Sequence, residues 1–149
     1  MYGRNSMKIT MVKFDHFFEK LFSNVRFLED WILRILLGIA FAIHGYQKLP
    51  LPSKGMMEWF GFSPIMASII PLIELSAGGA IILAGFIRGP SGSLLTRMSG
   101  SIIAVYMVFA LTIAHKEWFI TNKLFTSEQI FLLGIALYFV IKGKPSETS

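Results

Sequence analysis

The sequence predicts an all-α membrane protein, a four-transmembrane-helix bundle with an N-terminal amphipathic interfacial helix. Three observations carry that expectation. The chain is 54% hydrophobic and 15% charged, with a mean hydropathy of +0.60, too little charge to cover a soluble domain of 149 residues. Four apolar stretches alternate with proline- and glycine-bearing breaks. Lysine and arginine fall unequally on alternate connections.

Three regions make up the chain: an amphipathic segment over residues 1–30, a transmembrane domain over 31–143 and a cytoplasmic tail over 144–149. In the first, Met11, Phe14, Phe18, Leu21, Val25 and Leu28 recur at spacings of three and four. Lys13, His16, Glu19, Lys20 and Asn24 fall between them, the pattern of a helix lying in the membrane interface. Ala40-Phe41-Ala42 has the small-x-small form of a cleavage site. Thirty mixed-charge residues precede the first span and Arg34 interrupts it, so cleavage is not expected.

The spans are placed at Trp31–Leu49, Ile65–Ile87, Leu94–Ala114 and Glu128–Ile141. About 20 residues cross a hydrocarbon core; the fourth stretch is short and relies on its flanks or on local thinning. Pro50, Pro52 and Pro64 bracket the first connection, and Arg88-Gly89-Pro90-Ser91-Gly92 forms the second. Thr126-Ser127-Glu128-Gln129 fits a capping box opening the fourth span. Trp31 on the inner side, with Tyr46, Trp59 and Trp118 on the outer, suit aromatic belts.

Several function classes drop out. Without cysteine there are no disulfides, thiol redox steps, iron–sulfur clusters or thiolate metal sites. The net charge of +5 is spread along the connections, which does not suit nucleic acid. Nucleotide fingerprints, HExxH and nucleophile elbows are missing. His44 has only His115 as a haem counterpart, so no metal site and no covalently bound cofactor are expected.

The informative residues are ionisable ones inside the spans, each costing roughly 2.5–3.5 kcal/mol near the bilayer centre and so expected to face the bundle interior. Arg34, His44 and Lys48 occupy an arc of about 80° on the first span. With a rise of about 1.5 Å per residue, His44 lies roughly 5 Å and Glu74 roughly 4 Å outward of their spans' centres, whereas Arg34 lies about 10 Å inward. His44 and Glu74 are therefore expected to meet. Ala67, Pro71, Glu74, Gly78 and Gly85 share one stripe, which puts Glu74 on a helix-packing face. Lys48, Glu128, Gln129, Thr112 and His115 extend the outer polar cluster, and the loop carrying Met56, Trp59 and Phe60 is its candidate lid. Each residue also has a structural reading. His44–Glu74 can be a register-fixing pair, Glu128 a partner of the helix dipole, and Lys48 and Arg34 snorkelling cations.

The same residues resemble the DoxX family of small bacterial membrane proteins. The resemblance runs from Trp31 to Gly143 and rests on Arg34-x-x-x-Gly38, Phe41-x-x-His44-Gly45-x-x-Lys48-Leu49, Gly55-Met56-x-x-Trp59-Phe60, Glu74-x-x-x-Gly78-Gly79 and Leu83-x-Gly85-x-x-Arg88, then Met98 and Glu128. It implies a four-helix bundle in the bacterial inner membrane. From relatives in quinone-linked and other membrane oxidoreductases, it implies a quinone-facing or accessory subunit of a redox-linked system. A quinone needs an apolar slot with one or two polar groups for its carbonyls, which the His44–Glu74 level with Lys48 near the mouth would supply.

A small transporter or proton pathway through His44, Glu74 and Glu128 is the second reading, and a membrane scaffold or assembly protein the third. A wide crevice favours quinone, a continuous wet path favours transport and a closed dry core favours a scaffold. Expected partners are the lipid bilayer and, as candidates, a redox protein and further copies of this chain.

Placing both termini in the cytoplasm puts nine lysines and arginines inside and four outside, with Arg34 within a span. Reporter fusions at Lys54 and Lys123 should therefore read outside and one at Gly92 inside; an outside signal at Gly92 would overturn this topology.

Overall fold

A computed structural model describes residues 2–25, 27–114 and 121–144. Among them the regular structure is helical, without strands: α1 (Tyr2–Phe22), α2 (Leu28–Tyr46), α3 (Lys54–Phe60), α4 (Pro64–Phe86), α5 (Gly89–Phe109), α6 (Lys123–Thr126) and α7 (Glu128–Lys142). A short 3-10 turn at Ser23–Val25 comes after α1, and a π-helical turn at Ala110–Ala114 extends α5. The chain divides into two compact units, Met1–Ile32 and Leu33–Ser149. His115, Lys116, Trp118 and the end of the tail lie outside the described residues.

Among the described residues two helices have the length and apolarity of membrane spans: Pro64–Phe86, and Gly89–Ile113 with its π-helical extension. α2 is nearly as long at 19 residues but carries Glu29, Asp30 and Arg34, and α7 has 15 residues. Each of these helices buries a stripe of one face. On α2 it is Arg34, Leu37, Gly38, Phe41 and Gly45. On α4 it includes Ala67, Pro71, Glu74, Gly78 and Ile81. On α5 it includes Thr96, Gly100, Ile103 and Met107, and on α7 Leu132, Ala136 and Phe139. These spacings of three and four are those of helices packed side by side. The opposite faces expose Ile35, Leu36, Leu72, Leu83, Val105, Phe131 and Ile141. An apolar surface that extensive belongs against lipid, not water.

α2 lies almost backbone to backbone on α4. A Cβ on Gly78 would sit 2.6 Å from the Gly38 carbonyl oxygen and 2.8 Å from the Ala42 nitrogen; one on Gly45 would sit 2.8 Å from the Pro71 carbonyl oxygen and 3.0 Å from Glu74 Cβ. Only hydrogen fits at these crossings. At the other end of the stripe, Arg34 donates to the Ile81 carbonyl at 2.9 Å, and its guanidinium lies 4.6 Å from the Phe139 ring centroid. Arg34 thus ties α2 to α4 and α7 instead of joining the outer cluster.

Pro71 shapes the connection above this contact. It has no N–H, so the Ala67 carbonyl lacks its usual partner four residues on. The Ser53 backbone N–H donates to that carbonyl at 3.1 Å, anchoring the start of α3 to α4. The expected lid loop is accordingly a short helix. It ends at Gly61, whose φ of 67° suits glycine and whose N–H bonds back to Met57. The expected capping box at α7 does not form. Thr126 turns its hydroxyl back to the Asn122 and Lys123 carbonyls of the preceding helical turn, α6, the Ser127 hydroxyl donates to the Leu124 carbonyl at 2.8 Å, and neither caps α7.

The glycine crossing makes a paired prediction. Gly78→Ala should lower stability in detergent by about 1–3 kcal/mol, because backbone on α2 cannot yield to the new methyl. Gly79→Ala, whose Cβ would meet nothing within 4 Å, should be neutral or stabilising by up to ~1 kcal/mol. Thermal unfolding of both variants checks the contrast.

Candidate functional site

The C-terminal end of α2 breaks off at Tyr46, leaving terminal carbonyls in need of donors. Gln47 and Lys48 N–H groups return to Ile43 and Gly45. The His44 carbonyl takes the Lys48 ammonium instead, at 2.9 Å. Bending back to make this cap brings Lys48 Nζ to both oxygens of Glu74, 2.7 and 2.6 Å away. Three N–H donors thereby meet three acceptors. Glu74 is 1% exposed and Lys48 23%. A carboxylate that deep is sustained by a cation bonded to both its oxygens; alone it would be strongly unfavourable.

The expected His44–Glu74 pair is therefore corrected: the partner of Glu74 is Lys48. The depth expected for Glu74 agrees with the structure, since it packs level with Gly45, between His44 and Lys48. Azimuth decides the pairing. Gly45 faces α4, and His44 lies about 100° round the helix from it. The His44 ring turns to α7, where Nε2 lies 3.2 Å from Glu128 Oε1. Lys48, one turn beyond Gly45, returns to the α4 side and has the reach to get there. Glu128 is 63% exposed, so its pairing with His44 is a rim contact and the Lys48–Glu74 pair is the interior one.

Tyr106 completes the interior group. From α5 its ring lies edge-on to Phe41 with centroids 5.2 Å apart, on the side of the Glu74 carboxylate. Reading the sequence alone misses it, although a hydroxyl in the middle of an apolar span is a visible signal. Thr112 stays apart, bonding the carbonyls of Val108 and Phe109 on its own helix.

Above the pair lies a cavity of about 390 Å³ between the end of α2 and α3. Leu49, Pro50, Met56, Trp59 and Phe60 supply its apolar wall, and Lys48 and Lys54 its charges. All three expected lid residues line it, with Met56 buried and Trp59 80% exposed. His44 and Glu74 do not line it. Among the described residues no group of three or more metal-ligating side chains comes together.

Fold and site together define a small helical membrane protein whose buried carboxylate is held by a lysine at the mouth of an apolar cavity. The DoxX family model matches residues 30–116, more than half of the chain, and the chain belongs to the DoxX family. A curated relative, "Putative oxidoreductase CatD" of Bacillus subtilis (strain 168), is 33% identical over 127 residues, covering 76% of this chain and 87% of that protein. No solved structure matches significantly. The matched region holds Arg34, His44, Lys48, Met56, Trp59, Phe60 and Glu74; α1 and Glu128 fall outside it.

The site predicts a coupling pattern. Lys48→Met or Glu74→Gln alone should each cost stability, with Lys48→Met the worse, at about 3–5 kcal/mol, because it strands the carboxylate. Lys48→Met combined with Glu74→Gln should cost less than the sum. His44→Leu should instead add to Glu74→Gln, and Glu128→Gln should cost under ~1 kcal/mol. Unfolding in detergent measures all of these; additivity between the Lys48 and Glu74 changes would disprove the pair.

Proposed function

We propose that this protein is a quinone-facing component of a redox-linked system in the bacterial cytoplasmic membrane, spanning the bilayer four times with both termini inside. The observation that carries the reading is the cavity: an apolar, aromatic-rimmed space of a size that suits a small ligand, with the half-buried Lys48 ammonium in its lining. A quinone ring stacks on apolar and aromatic walls, and its carbonyl oxygen accepts a hydrogen bond. Lys48 grips Glu74 through two bonds, so it can give one to a carbonyl and leave the carboxylate held by the other. The Glu74 carboxylate and the Tyr106 hydroxyl adjoin it. The name of the Bacillus relative, an oxidoreductase, supports the redox setting.

The cavity reaches Lys48 and not His44, which favours a ligand slot over a path through His44, Glu74 and Glu128. A scaffold would need no such opening. The four-span arrangement rests on the outward apolar faces of α2 and α7, which match those of α4 and α5. At roughly 22 Å, α7 needs its flanks or a thinned bilayer to cross.

Quinone titration of the protein in nanodiscs, read by tryptophan fluorescence, tests this. Trp59 lines the cavity, so saturable quenching beyond that expected from partition into lipid is expected, and Trp59→Phe should remove it. Lys48→Met with Glu74→Met, which deletes both partners and strands neither, should weaken binding about tenfold, the worth of one hydrogen bond. Unchanged affinity in that variant, or quenching without saturation, would defeat the proposal.

A further inference from the structure

α1 is a helix of 21 residues with an exposed aromatic face. Phe14, Phe18 and Phe22 stand at successive turns, their ring centroids 4.9 and 6.2 Å apart, and Phe17 flanks Phe18. Met11 and Leu21 extend the same face, and all of these residues are exposed. At 100° per residue the face subtends roughly 140°, with Lys13 and Lys20 together on one flank and His16 opposite. Residues 1–26 hold five basic residues, Arg4, Lys8, Lys13, Lys20 and Arg26, against two acidic ones, Asp15 and Glu19. The segment lies outside the family match, which begins at residue 30, so its purpose is additional to the shared fold.

We propose that α1 docks its phenylalanine face into the headgroup region of an anionic bilayer leaflet, with Lys13 and Lys20 responding to the lipid charge. Two observations select lipid as the occupant. The chain continues from α1 into a domain with membrane-spanning helices, which holds this face at a bilayer surface at high effective concentration. The basic excess complements anionic headgroups, and a phenylalanine face with flanking lysines is the composition of interfacial helices. The inference does not depend on the quinone reading.

Because the chain has no cysteine, single spin labels can be placed cleanly on the full-length protein through Met11→Cys, on the apolar face, and His16→Cys, on the polar one. In nanodiscs containing phosphatidylglycerol, the label introduced by Met11→Cys should favour collision with oxygen. The label introduced by His16→Cys should favour the neutral aqueous nickel chelate. In phosphatidylcholine alone that contrast should shrink. Lys13→Gln with Lys20→Gln in the anionic discs should lower the docked-to-undocked ratio about 30-fold. Equal accessibility at the two positions would overturn docking. A contrast indifferent to lipid charge would overturn the electrostatic part. Low access to both reagents with spin–spin broadening would overturn lipid as the occupant and show that a second copy covers the face.

Discussion

The close approach of α2 to α4 governs most of the architecture around the buried carboxylate. Gly38, Gly45 and Gly78 let the two backbones touch, and that contact sets which residues of one helix stand opposite which of the other. Without a hydrophobic force between helices in lipid, such close van der Waals contact is a main source of their association. It also fixes the level of Glu74 against the end of α2. A larger residue at any of the three crossings would push α2 outward and carry Lys48 away from its carboxylate.

The ion pair is a consequence of how α2 ends. A helix terminus needs donors for its last carbonyls, and Lys48 meets that need at His44 while binding Glu74. One side chain caps a helix, neutralises a buried charge and lines a cavity. Pro71 has a comparable double role. Its missing N–H would weaken α4 on its own, yet it leaves the Ala67 carbonyl open to Ser53 and so holds α3 over the cavity. The polar site and its cover are thus built from the defects of otherwise regular helices.

The cationic groups of the transmembrane unit divide by depth and task. Arg34 is 2% exposed and bonds a backbone carbonyl of α4, lying over the Phe139 ring. It has the character of an internal brace. Toward the end where α4 and α7 finish, Lys144 reaches the carbonyls of Gly85 and Ile87, and Arg97 those of Val140 and Lys142. These cations satisfy and charge-match the ends of α4 and α7. Lys48 differs from them in combining a carboxylate partner with a cavity.

Much of the fold is legible in the sequence because apolar periodicity and helix breakers act locally. The helices fall close to their expected bounds, the packing stripe of α4 contains Glu74, and the residues Met56, Trp59 and Phe60 lie together over Lys48. Membership of the DoxX family is readable too, since order and spacing of motifs survive without coordinates. Depth along a helix comes from counting residues, so the level of Glu74 is also within reach. Its partner is not. Whether His44 or Lys48 meets the carboxylate depends on the rotation of α2 about its own axis, set by where Gly38 and Gly45 contact α4. The position of Tyr106 beside Glu74 is hidden too, because it depends on how α5 packs against α4. Local chemistry determines which segments are helical and which faces are apolar; only packing decides which polar atoms meet, because a bond of about 3 Å depends on azimuth and tilt that no single helix specifies.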